Sequence, residues 1–172
     1  SFNKPLILGN EVSYIEKTIK KNSFSGNSEF TSKCNLLLES KTKSKKSILT
    51  SSCTDALEMT ALLSNLELGD EVIMPSYAFV SSASAFQLRG INIVWCDIRM
   101  DTKNIDESKI ESLITSRTKA IVIVHYAGVA CEMDTILDIC NRNNLILVED
   151  AAQAIDCFYK NNHLGTMGHM GT

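Results

Sequence analysis

Four short stretches carry the residue types from which a chemical site could be built. In Ser51-Ser-Cys-Thr-Asp-Ala-Leu-Glu-Met59 small hydroxyl residues precede a helical run, and Ser52 with Asp55 three residues on matches a capping box with a shorter acid. The first amides of such a helix have no intrahelical partner and sit at the positive end of its dipole. This start is therefore either an anion site, with phosphate the usual occupant, or simply a well-capped helix. Pro75-Ser-Tyr-Ala-Phe79 sets Tyr77 and Phe79 just past a strand, where an aromatic can serve as a flat platform or belong to the core. His125 is the first polar residue after a long apolar run. Leu145-Ile-Leu-Val-Glu-Asp-Ala-Ala-Gln153 passes from four apolar residues into two acids and, after two alanines, an amide. Asp150 would sit at the carboxyl end of a buried strand, where open α/β sheets put their ligands. A buried carboxylate there calls for a cationic partner. The plainer alternative is that Glu149 and Asp150 only cap the next segment.

The elements that must position these groups alternate regularly. Helices are expected over Glu11–Lys21, with Val12, Ile15 and Ile19 as an apolar stripe, and from about Ser28 to Ser40, with Phe30, Cys34, Leu37 and Leu38 inward. Asn22–Ser28 reads as a loop and Ser47–Thr50 as a short strand. A helix then runs to about Asn65, followed by a turn at Leu68-Gly-Asp70, a strand Glu71–Met74 ended by Pro75, and a helix to Leu88. Asn92–Cys96 and Thr118–Val124 are strands, Ile105–Thr115 and Glu132–Asn141 helices, and the strand ending at Val148 completes the series. This alternation predicts an α/β fold, a mostly parallel central sheet with helices on both faces. All four chemical stretches then fall at strand carboxyl ends or helix starts on one side of the sheet, which favours one shared ligand site over four unrelated coincidences.

Composition narrows the classes. The 172 residues are 44% hydrophobic and 22% charged, enough for one substantial core. A net charge of −3, from 17 basic and 20 acidic residues, gives no footprint for nucleic acid, and the run Lys41-Thr-Lys-Ser-Lys-Lys46 reads as a solvated turn. No apolar run approaches the roughly 18 residues of a membrane span. The six cysteines form no C-x-x-C pair and the three histidines lack ligand spacing, so reduced thiols, no metal and a cytoplasmic location are expected. The opening Ser1-Phe-Asn-Lys-Pro5 shows no signal peptide; a start at Ser1 and an end at Gly171-Thr172 suggest a fragment of something longer.

No G-x-G-x-x-G is present, so a dinucleotide fingerprint is not supported. A phosphate cradle, a flat aromatic and a ring-facing acid fit pyridoxal 5'-phosphate better, because its pyridinium must stay protonated to accept electrons. Gly69-Asp-Glu-Val-Ile-Met-Pro-Ser-Tyr-Ala-Phe-Val-Ser-Ser82, Val124-His-Tyr-Ala-Gly128 and Val148-Glu-Asp-Ala-Ala-Gln153, in this order, resemble the DegT/DnrJ sugar aminotransferases over nearly the whole chain. The resemblance implies the fold-type I aminotransferase architecture, with residues 1–172 forming the N-terminal part and most of the large cofactor-binding domain, and the small C-terminal domain lying outside it. Ser52-Cys-Thr54, Leu88-Arg-Gly90 and His125-Tyr-Ala-Gly-Val-Ala-Cys-Glu-Met-Asp134 are most similar to members that aminate a dTDP-linked 4-keto-6-deoxyhexose for enterobacterial common antigen and lipopolysaccharide synthesis, with glutamate as donor.

Carried over by position, the resemblance implies that the backbone amides of Thr54 and Asp55 hold the cofactor phosphate, Phe79 stacks on the ring, Asp150 pairs with the ring nitrogen and Gln153 bonds the phenolic oxygen. It gives His125 no role. The family's Schiff-base lysine belongs to a motif that would follow Gly165–Gly171, and Lys160, in the turn Tyr159-Lys-Asn-Asn162, cannot replace it by position. The 172 residues are thus expected to show little or no turnover, to lack half of a homodimer surface, and to aggregate through exposed apolar patches. Three alternatives stay open: a sugar dehydratase of the same fold, in which histidine replaces the lysine, a non-catalytic pyridoxal-phosphate-binding domain, and a nucleotide-binding α/β domain with no pyridoxal cofactor, against which the lack of a Gly-rich phosphate loop counts.

Overall fold

The computed structural model describes residues 4–172, which divide between Leu49 and Thr50 into two compact units. The first holds α1 (Glu11–Lys20) and α2 (Glu29–Thr42). Both helices form where the apolar spacing places them, but neither buries a residue completely. Val12, Ile15 and Ile19 stay exposed because Tyr14 instead meets Phe30 edge-on, with ring centroids 5.3 Å apart. Cys34 and Leu37, expected inward, are also exposed. Ser47–Thr50 does not form the expected strand. Its backbone donors go to side chains of α2, Ser47 N to Glu39 Oε1 at 3.0 Å and Leu49 N to Asn35 Oδ1 at 2.8 Å, so no ladder is needed to satisfy them.

The second unit begins with α3 (Cys53–Leu63) and contains β1 (Glu71–Pro75), α4 (Val80–Gln87), β2 (Asn92–Cys96), α5 (Glu107–Ile110), β3 (Thr118–Val124), α6 (Met133–Asn143) and β4 (Ile146–Asp150). A hairpin of β5 (Phe158–Tyr159) and β6 (Asn162–His163) follows, then β7 (Met170–Gly171). Five strands form one sheet in the order β2-β1-β3-β4-β7, every pair parallel. Alternate residues along each strand enter opposite cores. Val72, Met74, Ala120, Val122 and Val148 pack against Leu57, Ala61 and Phe86 from α3 and α4. Ile73, Ile121, Ile123 and Leu147 pack against Ile110, Met133, Ile136 and Ile139 from α5 and α6. Both faces are therefore covered, which is why these strands read as continuous apolar runs.

One expectation is corrected in this unit, and one strand lies beyond what the sequence pattern predicts. The helix expected over Ile105–Thr115 shrinks to one turn, Glu107–Ile110, and a 3-10 turn, Glu111–Leu113. Asp106 caps it by accepting from Ser108 N at 3.2 Å, while Ile105 is drawn into a bridge with Ile98 and buried. β7 was not foreseen at all. Only glycine could occupy its last position, since a Cβ on Gly171 would lie 1.9 Å from the carbonyl oxygen of Gly165. Among the described residues no helix is long and apolar enough to cross a membrane, and no cluster of three or more His, Cys, Asp and Glu side chains could hold a metal ion.

Candidate active site

The sheet's strand order reverses at β1, since β2 lies on one side of it and β3 on the other. The crevice beyond the carboxyl ends of β1 and β3 is thus the topological switch point, the usual ligand position in an open α/β sheet. Tyr77 from β1 and Tyr126 from β3 meet across it, with ring centroids 5.1 Å and hydroxyls 3.1 Å apart. The Tyr77 hydroxyl beside it holds the Tyr126 phenol above its ordinary value.

Asp150 ends β4 next to Val124 of β3 and is only 5% exposed. Its Oδ2 accepts from the fully buried Ser82 hydroxyl at 2.7 Å, and its Oδ1 from Ala152 N at 3.2 Å. The Cys53 thiol stands 4.0 Å from Oδ1 and 3.4 Å from Thr172 Oγ1. Burial raises that thiol, and the Asp150 carboxylate adds to the shift against the Thr172 hydrogen bond. A backbone bond from His125 N to Asp150 O, 3.1 Å, ties the ends of β3 and β4 together.

At the start of α3 the sequence pattern is realised: Ser52 is the N-cap, and its Oγ accepts from Asp55 N at 3.1 Å. The Ser51 hydroxyl donates to the Asp55 carboxylate and holds it below the usual carboxylate range, aided by Ser52. The Asp55 amide is thus already engaged, whereas the Thr54 amide has no partner among the described residues. Phe79 is the N-cap of α4 and 73% exposed, so its ring is a free platform. Gln153 is exposed, and its Oε1 accepts from Ala127 N at 2.7 Å, leaving its amide nitrogen as the donor. Two helix starts, α3 and α4, and the end of β4 thus carry Thr54, Phe79, Asp150 and Gln153, while the Asp55 amide, expected to face phosphate, is taken by the Ser52 cap.

Glu149, one residue before Asp150, takes the other face of β4 and is fully buried with His125. Its carboxylate receives His125 Nε2 at 2.9 Å and the amides of Gly165, Met167 and Gly168 at 2.9, 2.7 and 2.5 Å. Cys131 N donates to His125 Nδ1 at 3.2 Å, which fixes the imidazole proton on Nε2. Burial pushes Glu149 up, but the hydrogen bonds from His125, Gly168 and Gly165 outweigh it, and the net direction is down. His125, without a role in the sequence reading, is therefore the donor that joins the β3 end to this buried carboxylate.

Sequence reasoning missed Ser82, Cys53 and Asn104. Asn104 is buried and holds the turn after β3 at both ends, accepting from Tyr126 N and donating to Val129 O, each at 2.9 Å. Ser82 carried one usable signal, its place one helical turn after Phe79.

Known proteins share the fold and the family of this chain. A GDP-perosamine synthase from Caulobacter vibrioides is 39% identical over 128 residues, covering 74% of this chain and 34% of its own length. An aminotransferase structure from Psychrobacter cryohalolentis superposes with a TM-score of 0.93 at 29% identity, covering 98% of this chain and 43% of that one. Spr1654 from Streptococcus pneumoniae, a candidate sugar aminotransferase solved in its PLP form, gives a TM-score of 0.88 at 26% identity over 97% of this chain and 46% of that one. The chain spans about a third of the length of the curated relatives it matches, 34% and 32%. The sequence model of the DegT/DnrJ/EryC1/StrS aminotransferases matches residues 6–172, and the chain belongs to that family.

Proposed function

We propose that these residues are the amino-terminal, cofactor-binding part of a pyridoxal-phosphate-dependent aminotransferase acting on a nucleotide-linked keto sugar. The observation that carries the reading is Asp150. It is a buried carboxylate whose partners, Ser82, Ala152 N and Cys53, are all neutral. A carboxylate so placed gains most from a cation that arrives with a ligand, and a protonated pyridine nitrogen is such a cation. The surrounding groups suit the rest of the cofactor: the open Thr54 amide at a helix start for the phosphate, the exposed Phe79 face for the ring, and the Gln153 amide nitrogen for the phenolic oxygen. When bound, the cofactor would supply an electron sink for moving an amino group. The chain's own part is to hold the phosphate at α3, keep a proton on the ring nitrogen through Asp150, and orient the ring between Phe79 and β4.

The finer reading is a dTDP-linked 4-keto-6-deoxyhexose as acceptor and glutamate as donor, in a cytoplasmic homodimer. Ser52-Cys-Thr54 and the stretch His125–Asp134 support it, and the exposed stripe Val12, Ile15 and Ile19 supplies apolar surface for a partner. The test uses a protein of full family length, incubated with glutamate and either the dTDP- or the GDP-linked keto sugar. Release of 2-oxoglutarate with the dTDP sugar and formation of its amino sugar is the expected result. Turnover with the GDP sugar alone would overturn the nucleotide assignment, and sugar dehydration without amino transfer would overturn transamination.

A further inference from the structure

We infer that Ser82 is a positioning residue that presents Oδ2 of Asp150, rather than Oδ1, to the ring nitrogen of the cofactor. The inference rests on the reading that pyridoxal phosphate binds at Asp150. An ionised carboxylate has about four acceptor positions, two on each oxygen. Oδ1 accepts from the Ala152 amide at 3.2 Å and has the bulky Cys53 sulfur 4.0 Å away, so its second position is crowded rather than hydrogen-bonded. Oδ2 accepts only from Ser82, at 2.7 Å, and keeps one position open. Donors on both oxygens also fix the plane of the carboxylate, which a single donor would leave free to turn.

Ser82 is suited to this task by its surroundings. It is fully buried, so its hydroxyl has no water to turn to. Its own amide donates to the carbonyl of Phe79 at 3.0 Å, in the first turn of α4. One residue therefore ties the proposed ring platform, through the backbone, to the proposed ring acid, through the hydroxyl. A hydroxyl donor also stabilises the ionised form of the carboxylate, which keeps the shared proton on the ring nitrogen rather than on Oδ2. A purely structural hydroxyl would affect folding but not the protonation of a bound ring.

The test binds ring-15N-labelled pyridoxine 5'-phosphate, which keeps the ring and phosphate but lacks the aldehyde that surface lysines would capture. Affinity and the 15N chemical shift are read for the 172-residue chain, Ser82→Ala and Ser82→Thr. The wild-type chain is expected to bind the probe with a protonated ring nitrogen. Ser82→Ala should bind about tenfold more weakly, the loss of one hydrogen bond to a charged group. Its ring signal should move toward that of neutral pyridine at the same pH, and Ser82→Thr should restore both readings. Should the alanine variant fail to fold, Ser82→Cys, a weaker donor, should give the same two changes at smaller size. Unchanged affinity and 15N shift in the alanine or cysteine variant would overturn the role of Ser82 and leave the cofactor reading standing. No binding to the wild-type chain would overturn both.

Discussion

Glu149 and Asp150 are adjacent, end the same strand and are both buried, yet their surroundings are opposite in kind. Glu149 is saturated: four N–H groups from His125 and the segment Gly165–Gly168 converge on its two oxygens. Asp150 is served by a hydroxyl and one amide, with the Cys53 sulfur 4.0 Å away, and an acceptor position on Oδ2 stays open. Because side chains alternate along a strand, Glu149 takes the α5–α6 side of the sheet and Asp150 the side of α3 and α4. A saturated buried charge stabilises; an unsaturated one at the carboxyl end of a parallel strand is available to a ligand. Charge and burial alone would not separate the two, whereas the count of donors does.

The comparison is broken most forcefully at Glu149. Glu149→Gln puts an NH2 group against N–H donors and should cost about 3 kcal/mol of stability, because buried donors lose a charged acceptor. Urea unfolding checks it, and a loss below about 1 kcal/mol would contradict the account. The same acid predicts a pH dependence. Its folded value lies below its unfolded one, so its stabilisation is complete above the unfolded value, about pH 4.3, and is lost as the pH falls through the folded value. Wild-type stability should therefore fall more steeply on acidification than that of Glu149→Gln, and parallel curves would contradict this.

Asn104→Ala sharpens the comparison on the crevice side. It leaves Tyr126 N and Val129 O without partners and should cost about 1–3 kcal/mol, read by thermal unfolding. The smallest effect belongs to the helix start: Ser52→Ala removes the cap on α3 and should cost about 1 kcal/mol by the same measurement.

Much of this arrangement could be read from residues alone. β3 and β4 were legible because both faces are covered and no polar alternation interrupts them. Asp150 was legible because it stands where an apolar run stops, and Ser52 with Asp55 because a cap has a fixed spacing. The role of Glu149 was not, since its partners arrive from a segment that starts 16 residues later and has no periodicity. Ser82 was hidden in Val80-Ser-Ser-Ala-Ser-Ala85, where three hydroxyls look alike until the helix is docked. Ser47–Thr50 was misread because the side chains of Asn35 and Glu39 satisfied a backbone that looked like a strand.

The central claim is that Asp150 is held for a ligand cation and is not needed for the fold. Calorimetric titration of pyridoxine 5'-phosphate, which cannot form imines with surface lysines, into the wild-type chain and Asp150→Asn, with urea unfolding of both, tests it directly. The account predicts unchanged or slightly raised stability for Asp150→Asn, because a buried charge with neutral partners is removed. It predicts binding weakened about a hundredfold, from loss of the ion pair. Equal binding by the two proteins, or a variant destabilised as severely as Glu149→Gln, would contradict it.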